Sequence, residues 1–112
     1  MGAITQDAGL PTAVRHALVQ LGGDLSLARR RRHLSQASLA ERIGASVSTV
    51  RRMEKGDPRV PIHFIARALH VFGEIQALQH LLDSSRDDIG LALMDERVPK
   101  RVRSRGEPSG AL

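Results

Sequence analysis

Residues 36–55 read Gln36-Ala37-Ser38-Leu39-Ala40-Glu41-Arg42-Ile43-Gly44-Ala45-Ser46-Val47-Ser48-Thr49-Val50-Arg51-Arg52-Met53-Glu54-Lys55. Leu39, Ala40 and Ile43 recur at helical spacing before Gly44, and Val50 and Met53 share a helix face after it. Ser35 and Ser46 stand where a hydroxyl can accept from the unpartnered N–H groups of a first helical turn. Gly44 stands where a helix can end. Two short helices joined by Gly44-Ala45-Ser46 must cross steeply and pack closely, which needs a small residue on the first and a turn residue between them. Ala40 and Gly44 supply these. The buried contacts fall to Leu39, Ile43, Val50 and Met53. At about 100° per residue, Val47, Ser48, Arg51, Arg52 and Lys55 lie on the opposite face of the second helix. Short side chains at its N-terminal end allow close approach to base pairs, and the arginines beyond can reach guanine edges or phosphate.

Helical signals continue on both sides. Pro11 suits a first turn, and Val14, Leu18, Leu21, Leu25 and Ala28 repeat at spacings of four and three. Gly22-Gly23 interrupts that stripe at about 1 kcal/mol each against alanine. The stripe keeps its phase across them, so one helix is expected over residues 12–32, with a break at the glycines as the alternative. After the 47–55 helix, Gly56-Asp57-Pro58 closes the turn. Ile62, Ile65, Ala66, Leu69 and Phe72 form a fourth stripe after Pro61, ended by Gly73, and Ile75, Leu78 and Leu82 form a fifth. Beyond Asp83 the pattern is divided: Ser85 with Asp88 resembles a capping box, whereas Ile89, Leu91 and Leu93 alternate as a strand would. The domain therefore spans residues 11–83, between a disordered terminus (1–10) and a helix-or-strand extension (84–96). Residues 97–112, with five basic groups, two Pro and two Gly, form a mostly disordered basic tail.

Charge is unevenly spread. Residues 15–67 carry 11 basic against 4 acidic groups, residues 68–96 carry 1 against 6, and 15 of the 17 basic residues of the chain are Arg. Arginine suits bidentate contacts to phosphate and guanine. With two Phe, no Tyr and no Trp, the chain has few stacking platforms for single strands, so duplex DNA is the better polyanion. No cysteine is present, which excludes a disulfide scaffold, a thiolate metal site and a cysteine nucleophile. The five histidines have no metal-ligand spacing, and no cofactor is implied. No apolar run is long enough to span a membrane, and the N-terminus lacks the charge of a secretory signal. A cytoplasmic location, at the nucleoid through DNA binding, is expected. Gly-rich phosphate loops, HExxH and nucleophile elbows are missing, so no enzyme activity is expected.

Ser35-Gln36, Leu39-Ala40, Ile43-Gly44, Val50 and Met53-Glu54-Lys55-Gly56 together resemble the helix-turn-helix of the Cro and lambdoid phage-repressor (xenobiotic-response-element) family. The resemblance covers about residues 25–72. It implies an all-α fold, a five-helix lambda-repressor-like domain with the C-terminal extension and basic tail attached. It implies that Gln36 grips phosphate, that Val47, Ser48 and Arg52 read bases with Arg51 beside them, and that Arg29 pairs with Glu54. Ser46, Thr49, Lys55 and Arg59 complete the expected DNA-binding set. Val47 stands where relatives often carry a hydrogen-bonding side chain, which leaves it an apolar contact such as a thymine methyl. Leu91-Ala92-Leu93 followed by Arg97-Val98-Pro99-Lys100-Arg101-Val102-Arg103 is similar, more narrowly, to HipB-like antitoxins, which repress their own operon and hold a HipA-like serine/threonine kinase toxin.

These observations point to a sequence-specific repressor of a palindromic operator. A single recognition helix reads too few base pairs for useful specificity, so a homodimer is expected. Ile75, Leu78, Leu82, Ile89, Leu91 and Leu93 exceed the needs of a small helix-turn-helix core, so residues 68–96 are expected to carry dimerisation and any toxin contact. A stand-alone regulator without a toxin would use the same domain, and an all-α protein-binding adaptor is the remaining class. Salt-sensitive retention on heparin or random duplex DNA separates a DNA binder from an adaptor.

Overall fold

A computed structural model describes residues 9–83 and 89–101. Among them are six helices and no strand: α1 Thr12–Arg31, α2 Gln36–Ile43, α3 Val47–Glu54, α4 Ile62–Val71, α5 Ile75–Gln79 and α6 Ile89–Glu96. The chain divides after Leu81 into two compact units. The first holds α1 to α5. The second holds α6, one helix beyond the expected five. Over residues 89–96 the open choice between helix and strand falls to helix. The expected disorder of residues 1–8, the Ser85–Asp88 capping box and most of the basic tail (102–112) lie outside the described residues.

The first unit is built from locally encoded pieces. The Ser35 hydroxyl accepts the Ser38 N–H at 3.0 Å to start α2, and the Ser46 hydroxyl accepts the Thr49 N–H at 3.0 Å to start α3. Leu25, Leu39, Ala40, Ile43, Val50, Met53, Ala68 and Phe72 form one buried cluster drawn from α1 to α4. Leu39, Ile43 and Val50 are its fully buried large side chains, so the short helix pair supplies the centre of the domain rather than an appendage to it.

At its two ends the apolar patterning departs from expectation. Val14 is 41% exposed, so the α1 stripe enters the core only from Leu21 onward. Leu82 lies outside α5 and is 98% exposed. A five-residue helix ending at Gln79 cannot carry a stripe that runs seven residues from Ile75.

All four helices of the core end in the same way. The first N–H past the αL residue reaches back to the carbonyl five residues before it, as in Ala45 to Ala40 (2.9 Å), Asp57 to Arg52 (3.0 Å) and Glu74 to Leu69 (2.7 Å). Glycine takes the left-handed position at Gly44, Gly56 and Gly73. In α1 that position is His33, with φ 57°, and Leu34 N–H bonds Arg29 O at 3.2 Å. The stop after α1 is therefore imposed by the fold on a residue with a Cβ, at a cost of about 1–2 kcal/mol.

Candidate nucleic-acid interface

The pose of α3 is set by α1. Gly22, Leu25 and Arg29 are the buried residues of α1, three and four apart on one face. A Cβ on Gly22 would lie 2.6 Å from Glu54 O, 2.7 Å from Gly56 N and 2.7 Å from Met53 O. From the other side, a Cβ on Gly56 would lie 2.6 Å from Leu18 O. The backbones of α1 and the end of α3 thus touch without side chains between them. The glycine pair does not break α1, because Gly22 belongs to its buried face; Gly23 faces open space.

Next to that contact lies a polar clip. Arg29 Nε donates to Glu54 Oε2 at 2.6 Å and Nη2 to Oε1 at 3.1 Å, with 10% and 7% of the two side chains exposed. Arg29 Nη1 also donates to Leu34 O at 2.8 Å, and Gln36 Nε2 donates to Glu54 Oε1 at 3.0 Å. One carboxylate and one guanidinium therefore bind the end of α1, the turn after it, the first residue of α2 and the last of α3. Burial pushes the Glu54 carboxyl up, but the bonds from Arg29 and Gln36 and the Arg29 charge outweigh it, and Glu54 ends below its ordinary 4.5.

Held this way, α3 presents Ser48, Arg51 and Arg52 to solvent, with Lys55 exposed at its C-cap and Ser46 at its N-cap. Arg52 lies along that face, its Nη1 donating to Ser48 Oγ at 3.0 Å and its Nη2 to Thr49 Oγ1 at 3.3 Å. Two residues of the expected DNA-binding set are turned at least partly toward the core. Thr49 is 9% exposed, with its hydroxyl 3.0 Å from Ser46 Oγ, and Val47 packs partly against the core. The helical wheel carries this signal, since at 100° per residue Thr49 is only about 40° from buried Met53. Arg59 sits in the turn after α3, lining one cleft with Lys55. Its Nε and Nη2 fork onto Asp57 at 3.0 and 2.7 Å, and its N–H bonds Asp57 Oδ1 at 2.8 Å. Those bonds hold the Asp57 carboxyl down at about 2.

Other arginines serve the scaffold, which sequence spacing does not reveal. Arg32 donates to Ala28 O at 2.8 Å and to Phe72 O at 3.0 Å while stacking over the Phe72 ring at 5.0 Å. Arg67 Nη1 donates to Ile43 O at 3.0 Å. Both cations meet carbonyls at helix ends, where the dipole is negative. Of the run Arg29-Arg30-Arg31-Arg32, the first and last are thus tied into the fold.

No helix among the described residues is long and apolar enough to cross a membrane. No curated protein and no solved structure matches the chain significantly. Residues 20–82, more than half of the chain, match the helix-turn-helix domain family, from within α1 to just past α5. With α2, the Gly44 turn and α3 at the centre of that match, the chain belongs to the helix-turn-helix domain family.

Proposed function

We propose that the chain is a sequence-specific transcriptional repressor that lays α3 in the major groove of duplex DNA and acts as a homodimer on a palindromic operator. The observation that carries this reading is the outward face of α3, with Ser48, Arg51, Arg52 and Lys55 exposed on a helix clipped to α1 through Glu54. A cationic face on a rigidly held helix is the footprint of a groove reader. Gln36 opens α2 with its amide oriented by Glu54, a place suited to a phosphate oxygen. Ser46 and Ser48 offer hydroxyls at the end of α3 that approaches the bases, with Val47 as an apolar neighbour. In this reading Thr49 acts by shaping the Ser46–Arg52 geometry.

The two polar positions should separate under binding-site selection at one fixed salt concentration. Arg52→Ala is expected to lose about 1–3 kcal/mol on the selected duplex and to blur one base pair in each half-site. Gln36→Ala is expected to weaken selected and random duplexes alike and leave the selected sequence unchanged. An Arg52→Ala profile identical to wild type moves base reading to Ser48 and Arg51.

In its narrower form the reading makes the chain the autoregulating antitoxin of a HipA-like serine/threonine kinase, working in the cytoplasm at the nucleoid. Its support is the composition of residues 91–103 and the outward apolar groups of the second unit, with Leu93, Met94 and Val98 at 51%, 61% and 61% exposed. Residues 11–83 then bind DNA, and the extension of residues 84–96 with the basic tail after it meets the kinase. A kinase gene beside this one, and capture of that kinase by the chain, are the expected findings. A locus without one leaves the stand-alone repressor.

A further inference from the structure

Between the N-terminal turns of α1 and the turn that follows α3 lies an open cleft of about 210 Å³, lined by Arg15, Val19, Lys55, Gly56, Asp57 and Arg59 among others. We propose that this cleft holds a phosphate of the DNA backbone, with Arg15 and Lys55 as its principal cations. The proposal rests on the DNA-binding reading and extends its footprint beyond α2 and α3.

The cleft is assembled by the same close approach that sets α3. Arg15, Leu18 and Val19 stand at i, i+3 and i+4 on α1, and the backbone at Leu18 and Val19 is what Gly56 touches. That contact puts Arg15 one helical turn from the 55–59 loop. Three cations then face one carboxylate, and that carboxylate is already gripped by the Arg59 fork. The Arg15 guanidinium and the Lys55 ammonium make no hydrogen bond or ion pair among the described residues. An exposed pair of unengaged cations at a concave surface favours an anion.

Position selects which anion. Lys55 caps α3 directly after the Ser48–Arg52 face, so a duplex seated on that face brings a strand's phosphates to the edge where the cleft opens. The chemistry is charge alone. Gly56 N–H is spent on Met53 O at 3.1 Å, Asp57 N–H on Arg52 O at 3.0 Å and Arg59 N–H on Asp57 at 2.8 Å, while Pro58 has no N–H. A site with no directed backbone donors positions the duplex and reads no sequence. Arg15 lies before residues 20–82, the part of the chain that matches the family, and within α1.

The test compares the full chain with Arg15→Ala and Arg15→Lys, by fluorescence anisotropy at several salt concentrations. The probes are a duplex selected from random sequence by the wild type and an unselected duplex. Arg15→Ala is expected to bind both duplexes more weakly by the same factor, and its slope of log affinity on log salt should be shallower by about one. Arg15→Lys should restore both, and melting should not change, because Arg15 is exposed. Wild-type slopes for Arg15→Ala overturn the cleft while leaving the DNA reading intact. A loss confined to the selected duplex makes Arg15 a base reader and overturns the phosphate role. A wild-type chain without salt-sensitive duplex binding removes both.

Discussion

The α1–α3 crossing and the α4–α5 corner are built on different terms. At the crossing two backbones meet at Gly22 and Gly56, and a buried Arg29–Glu54 fork with Gln36 closes the contact, so every group has its partner within one chain. At the corner, α5 has five residues and none of them is buried, and Leu81 ends the unit at 71% exposed. The first region can tolerate almost no change of shape. The second leaves apolar area that one copy of the domain does not cover, a surface open to a partner. The contrast separates what fixes the reading helix from what is free to meet another chain.

The crossing is most sensitive at Gly22. Gly22→Ala puts a methyl against three backbone atoms, none of which can rotate away as a side chain end could. The loss should exceed the about 1–3 kcal/mol of ordinary overpacking and reach about 4 kcal/mol, a large share of the stability of a small domain. Denaturant unfolding reads it directly, and a variant melting with wild type would mean that the two helices are not in contact there.

Glu54→Gln comes next. It keeps the shape and one acceptor but leaves the Arg29 charge without its counterion, so a loss of about 3 kcal/mol is expected, at the low end for a broken buried pair. Its pH dependence carries a second check. Because the folded-state pKa of Glu54 lies below its ordinary 4.5, the pair stabilises fully above that value, and the contribution is lost as pH falls through the folded pKa. The gap in melting temperature between wild type and variant should therefore narrow from about pH 6 to about pH 3. A gap that stays constant would place the clip's strength in packing and not in charge.

Gly23→Ala changes the neighbouring position of the same helix. Its Cβ meets nothing within 4 Å, so the substitution should gain about 1 kcal/mol from helix propensity alone. Adjacent glycines would then change stability in opposite directions. The smallest effect belongs to the corner: Leu81→Ala should alter unfolding of the dilute protein by less than about 0.5 kcal/mol, as at other exposed positions. A large loss there, measured at a concentration where sedimentation shows one copy, would mean that the corner is core after all.

The chain's own order of residues determined α1 to α4 and the helix-turn-helix at their centre. Apolar spacing, the Ser35 and Ser46 caps and the glycines at 44, 56 and 73 act over a few residues, so they are legible without knowing what packs on what. The Arg29 and Glu54 positions were marked as a pair through the family resemblance, and the structure joins them by two bonds 25 residues apart in the chain. The tertiary structure alone decided which of two neighbouring glycines is indispensable and placed His33 in a left-handed turn. Only there, too, do Arg32 and Arg67 serve as clamps on helix ends and Arg15 come beside Lys55. Each of these depends on a distance between elements far apart in sequence. Periodicity specifies which face of a helix is buried, whereas the atoms that a given residue meets follow only from how closely the second helix approaches.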